Sequence, residues 1–67
     1  MPKPYPLKLT IKILEKQGFV FVSQRGSHAK YKKGHLVAIV PKHSKEIPYG
    51  TFRSILRQSH LKEGDFK

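Results

Sequence analysis

The 67-residue chain has no cysteine and no tryptophan, and only 4 acidic side chains stand against 14 Lys and Arg. Without cysteine, neither a disulfide framework nor a thiolate zinc site can brace the fold, and the composition fits a reducing compartment. The scarcity of acid excludes further chemistry. Glu15, Glu46, Glu63 and Asp65 are too scattered for a two-carboxylate hydrolase or a hard-metal site. The four histidines lack zinc-ligand spacing, so no metal and no other cofactor is expected.

Long apolar segments are missing as well. No run approaches the roughly 20 residues needed to span a bilayer. Residues 1–9 mix Lys3 and Lys8 with Pro2, Pro4 and Pro6 and lack the apolar stretch of a signal peptide. The expectation is a soluble, cytoplasmic protein without a membrane partner. Its length permits a single domain over residues 1–67, and a domain of this size buries only about 60% of its unfolded surface.

What is abundant is positive charge: a formal net charge of +10 and a sequence pI near 10.2. So strong an imbalance in so short a chain predicts a polyanionic partner, because phosphates are attracted without sequence preference and counterion release favours binding. Nucleic acid is the first candidate. An anionic membrane surface and an acidic protein that neutralises the charge are the other two.

Pro2, Pro4 and Pro6 mark residues 1–6 as an extended or disordered lead-in. From about 7 to 17, Leu7, Ile11 and Leu14 fall at i, i+4 and i+7 on one helical face, with Leu9 and Ile13 off that stripe and Gly18 placed to end the helix. Residues 19–24 are aromatic and β-branched, as a strand prefers, and stop at the turn signal Arg25-Gly26-Ser27. A second strand follows over 28–32. Lys33-Gly34 then suits a two-residue hairpin into a third strand over 35–40, which Pro41 ends. After a polar loop over 42–47, Pro48 suits the first turn of a helix carrying Phe52, Ile55 and Leu56 on one side. The fold class read from this order is α+β: an α-β-β-β-α chain with a three-stranded antiparallel sheet and two helices on one face.

With two-residue turns at Gly26-Ser27 and Lys33-Gly34, Arg25 faces His28, Lys32 faces His35 and His28 faces Ile39. Alternation then gathers Val20, Val22, Ala29, Tyr31, Leu36, Ala38 and Val40 on one apolar side, which should carry the helices. The opposite side collects Phe21, Ser23, Arg25, His28, Lys30, Lys32, His35, Val37 and Ile39. Cations mixed with a few large apolar groups are what a surface needs to attract phosphate and also dock a protein.

The triplet Gly26-Ser27-His28 followed by Tyr31 resembles the glycine-serine-histidine motif of HicA toxins. The likeness continues through Gly18-Phe19, Val40-Pro41-Lys42-His43 and Gly50-Thr51-Phe52-Arg53-Ser54-Ile55-Leu56-Arg57-Gln58, in the family's order. The chain departs from the family in a short second hairpin and in His60, which stands where a helix-ending glycine is commoner. This resemblance implies a fold like the double-stranded RNA-binding domain. It also implies an mRNA-cleaving endoribonuclease, the toxin of a type II toxin-antitoxin system, held inactive by a HicB-type antitoxin, with His28 as its catalytic residue. The free toxin is expected to be a monomer.

Chemistry agrees with that expectation. Cleaving RNA without a metal takes a base for the 2′-OH proton and a cation for the phosphorane, and a histidine titrating near neutral pH suits the first role. Arg25 and Lys30 flank His28 and are candidates to hold the phosphate, with Lys32, Lys33 and Lys42 as further RNA contacts. Gly26 and Ser27 form the turn that supports the site. Ser27 reads as a turn residue, not a nucleophile, because no carboxylate is at hand to orient His28 in a triad. His43 is the candidate helper, as proton donor or phosphate contact, though a loop-fixing hydrogen bond would explain it equally well. His35 and His60 read as structural. Phe21, Val37 and Ile39 are the candidate antitoxin contacts. Two other functions suit the same charge: a non-catalytic RNA-binding module, and a basic subunit whose role is capture by an acidic partner.

Overall fold

A computed structural model describes residues 3–66 of the chain. Met1 and Pro2 of the expected lead-in lie outside them. The elements are β1 (Tyr5–Pro6), α1 (Leu7–Lys16), β2 (Val20–Arg25), β3 (His28–Lys33), β4 (Leu36–Pro41), β5 (Glu46–Ile47), α2 (Tyr49–Ser59) and a closing 3-10 turn, Glu63–Phe66. The expected α-β-β-β-α order is present as α1-β2-β3-β4-α2, and β2, β3 and β4 pair as an antiparallel meander. A short antiparallel pair, β1 with β5, is added. It sets Tyr5 opposite Ile47, and the Leu7 amide donates to the Lys45 carbonyl at 2.9 Å. The extended lead-in is thus tied to the polar loop from residue 5 onward.

Helix α1 ends as its sequence suggests. Gly18 adopts φ 102°, its amide donates to Glu15, and the Phe19 amide donates to Leu14, closing the last turn in a Schellman arrangement. Leu14 and Phe19, the pair that such a cap brings together, are both buried. The buried stripe of α1 is Thr10, Ile13 and Leu14, not the expected Leu7, Ile11 and Leu14; Leu7 and Ile11 are only partly covered. The Thr10 hydroxyl donates to the Pro6 carbonyl at 3.0 Å. Bonded in this way, a polar side chain can occupy the centre of the buried face at little cost, and Ile13 comes inward beside it.

The core lies on one side of the sheet, where Ala29, Tyr31, Ala38 and Val40 meet Leu14 and Phe19 and, from α2, Phe52, Ile55 and Leu56. Tyr5 stacks on Phe52 with ring centroids 4.3 Å apart. Helix α2 also covers the outer edge of the sheet: the Ile39 amide of β4 donates to the Gln58 side-chain oxygen at 2.9 Å. An otherwise open backbone donor is satisfied.

Two features of the register differ from expectation. Both hairpin loops have two residues, but the second is Gly34-His35, not Lys33-Gly34, so Lys33 pairs with Leu36 and His28 with Pro41 instead of Ile39. In each loop only the first residue, Gly26 (φ 60°) or Gly34 (φ 59°), has positive φ. That is the type II′ pattern, which wants glycine first. Moving a turn by one residue shifts the pairing by two, so the faces of β3 and β4 keep their expected sides.

The faces of β2 do not. A bulge between Phe21 and Ser23 leaves Arg25 opposite His28 and Ser23 opposite Lys30, but sets Phe21 opposite Tyr31 and Val20 opposite Lys32. Phe21 therefore belongs to the Tyr31 side, where the two rings meet edge to face at 5.8 Å, and Val20 to the open side. All of β2 is exposed, so the expected burial of Val20 and Val22 is not found. An edge strand beyond the reach of both helices has nothing to bury it.

Helix α2 stops at His60, which takes a left-handed conformation (φ 58°) while the Leu61 amide donates to Leu56. A side chain is strained there by about 1–2 kcal/mol, whereas glycine is not. Glycine in turn enlarges the unfolded ensemble. His60→Gly should therefore stabilise the domain by about 0.5–1 kcal/mol, read as a higher urea midpoint at an unchanged slope. A lower midpoint would contradict this account of the cap.

Candidate active site and nucleic-acid interface

His28 opens β3 immediately after the Gly26-Ser27 turn, and its side chain is exposed on the open face of the sheet. The tight turn determines its neighbour: Arg25 is its cross-strand partner, which places their Cβ atoms about 4.5–5.5 Å apart. Lys30 lies two residues further along the same face, opposite Ser23 on one side and Ile39 on the other. These groups line a shallow depression formed by Ser23, Arg25, His28, Lys30 and Ile39.

A second groove begins at the same histidine. It runs between β4 and α2, with His28, Ile39 and Pro41 on one wall, Thr51, Ser54 and Gln58 on the other, and His43 at its end beside Pro48. His28 and His43, 15 residues apart in sequence, thus line one groove. The link is the strand pairing, since His28 faces Pro41 and the Lys42 amide donates to the Ser27 carbonyl. Neither imidazole forms a hydrogen bond or ion pair among the described residues, so both rings keep their nitrogens available.

The remaining expected cations divide between the two sides. Lys32 faces Val37 and shares the His28 side. Lys33 does not: it pairs with Leu36 on the other side, where its stem passes over Gly18. Lys42 is also on that far side, its ammonium 5.4 Å from the Phe21 ring centre and 5.6 Å from that of Tyr31, a cation–π placement. Among the candidate antitoxin contacts, Val37 and Ile39 are half-buried beside the cations of the open face. Phe21 lies on the opposite side because of the bulge. Among the described residues no three His, Cys, Asp or Glu side chains converge as metal donors would.

The model of the family described as HicA toxin of bacterial toxin-antitoxin matches residues 8–61. The chain belongs to the HicA toxin family. No curated protein matches it. The matched span takes in almost all of α1, the whole meander and α2, hence every residue of the two His28-lined depressions. This HicA-family chain is therefore the toxin of a toxin-antitoxin pair, and an antitoxin is its partner. No helix among its described residues is long and apolar enough to cross a membrane.

Sequence reasoning missed the α2 wall of the groove. It assigned α2 a buried stripe and two arginines, but not Thr51, Ser54 and Gln58, which succeed one another at i, i+3 and i+7. That spacing forms a polar stripe alongside the buried one. The signal was present, but the groove it lines exists only once α2 is docked on β4.

Proposed function

We propose that this HicA-family toxin is a metal-independent endoribonuclease that cleaves mRNA at His28 and is neutralised by a HicB-type antitoxin. The observation that carries this reading is the presence of two unpaired histidines in one groove, with Arg25 and Lys30 on the adjoining face. His28 takes the proton of a ribose 2′-OH, the O2′ attacks the neighbouring phosphorus, and the bond to the leaving O5′ breaks. That oxygen receives a proton from His43 or water, giving a cyclic phosphate and a free 5′-hydroxyl. Arg25 and Lys30 stabilise the extra charge on the phosphorane oxygens. Lys32 adds a phosphate contact on the same face. The antitoxin inhibits by covering Val37 and Ile39 together with His28. Phe21 can contribute only to a partner that also reaches round the β2 edge.

Cleavage should survive a chelator, because the groups given roles above are imidazoles and cations and none of them binds a hard divalent ion. Purified protein incubated with a defined mRNA fragment in excess EDTA should yield the same products at a similar rate. Loss of cleavage in EDTA and its return with magnesium would contradict the mechanism.

A further inference from the structure

A cavity of about 550 Å³ lies beyond His43 on the far side of the sheet end. Its walls carry Lys8, Lys42, Ser44 and Lys45 over an apolar floor of Pro6 and Leu7. His43 lines both this cavity and the His28 groove, and His28 and Ile39 line both that groove and the open-face depression. Each depression thus shares lining residues with the next, and together they trace one path. The path starts on the open face at Arg25 and Lys30, passes His28, rounds the end of β3 and β4 at His43, and finishes among three lysines on the core side.

We infer that this path is the track of one single strand of RNA, and that the Lys8–Lys42–Lys45 cavity is a distal subsite for a phosphate and nucleoside beyond the scissile bond. The inference rests on the ribonuclease reading above and deepens it by adding a subsite remote from the scissile bond. Three cations without an opposing acid in the cavity wall favour a phosphate, and the apolar floor offers a ribose or base a surface. The Lys42 ammonium lies over the Phe21 and Tyr31 rings, which are not part of the cavity wall, so Lys8 and Lys45 are the two cations open to such a phosphate. A track that turns from one side of a sheet to the other suits a flexible, unstacked strand. A rigid duplex would have to leave it at the bend.

The test compares the native chain with the double variant Lys8→Gln/Lys45→Gln, both exposed positions, on two substrates. One is an RNA dinucleotide spanning a single cleavable bond; the other is a single-stranded oligomer long enough to reach the cavity. The inference expects the variant to lose about tenfold in kcat/KM on the oligomer and almost nothing on the dinucleotide. A non-cleavable oligomer should bind with a log-log salt slope shallower by about 1.4, since two phosphate contacts are lost at about 0.7 each. An equal loss on both substrates, or no loss on either, would overturn the distal subsite. So would unchanged RNA binding with loss of inhibition by the antitoxin, which would assign the cavity to the protein partner. If the native chain cleaves neither substrate the ribonuclease reading fails, while the salt slope still decides whether the cavity holds a phosphate.

Discussion

Replacing Phe52 by alanine should remove about 3–5 kcal/mol of stability, a large share of what the domain has. Phe52 is 1% exposed on α2, and its ring stacks on Tyr5 and tilts against Tyr49 at 6.3 Å. Truncating a buried phenylalanine costs about 3–5 kcal/mol, through lost burial and the cavity left behind. A chain of this length commands only about 3–10 kcal/mol in total, and with no disulfide the loss has no covalent brace to offset it. Phe21→Ala provides the contrast. That ring is 50% exposed, so despite its contact with Tyr31 it should cost less than about 1 kcal/mol. Urea titrations followed by circular dichroism distinguish the two. Similar losses for both would mean that the core is not where the structure puts it.

Most of the fold was legible in the sequence because local signals agreed with one another. Gly18 ends α1, Gly26-Ser27 turns the first hairpin, Pro41 closes β4 and Pro48 precedes α2, each at a position where one backbone conformation is required. What stayed hidden depends on tertiary context. A bulge at residues 21–23 has no signature in Phe-Val-Ser, yet it exchanges the sides of Phe21 and Val20. The burial of Thr10 and Ile13 in place of Leu7 and Ile11 depends on how α1 docks on the core, which its periodicity does not reveal. The two-residue pair β1 with β5 joins segments 40 residues apart, too short to carry an alternating pattern.

The candidate site divides in the same way. His28 with Arg25 and Lys30 follows from a single two-residue turn and strand alternation, both local. The placement of Lys33 and Lys42 on the other side from His28 is a matter of parity along β3 and β4, since Lys33 is an odd number of residues from His28 and Lys42 from Pro41, which pairs with it. The expectation that grouped these lysines with the histidine weighed charge alone.

The second large effect concerns His28. Its side chain is exposed and forms no hydrogen bond among the described residues, so His28→Ala opens no cavity and strands no buried partner. Stability should change by about 0.5 kcal/mol or less. Arg25, Lys30 and Lys32 remain on the face, so affinity for RNA should also change little, because cation–phosphate contacts dominate it. Activity is the exception. Removing a general base should slow cleavage by about two to four orders of magnitude, and on expression the growth arrest expected of the toxin should disappear. The decisive measurement is the single-turnover rate of cleavage of one mRNA fragment by native protein and by His28→Ala, with folding and RNA binding measured on the same samples. A variant that folds, binds RNA as before and cleaves it at least about a hundredfold more slowly is the predicted result. A variant that folds, binds and cleaves near the native rate would show that His28 is not the base, and would contradict the central claim.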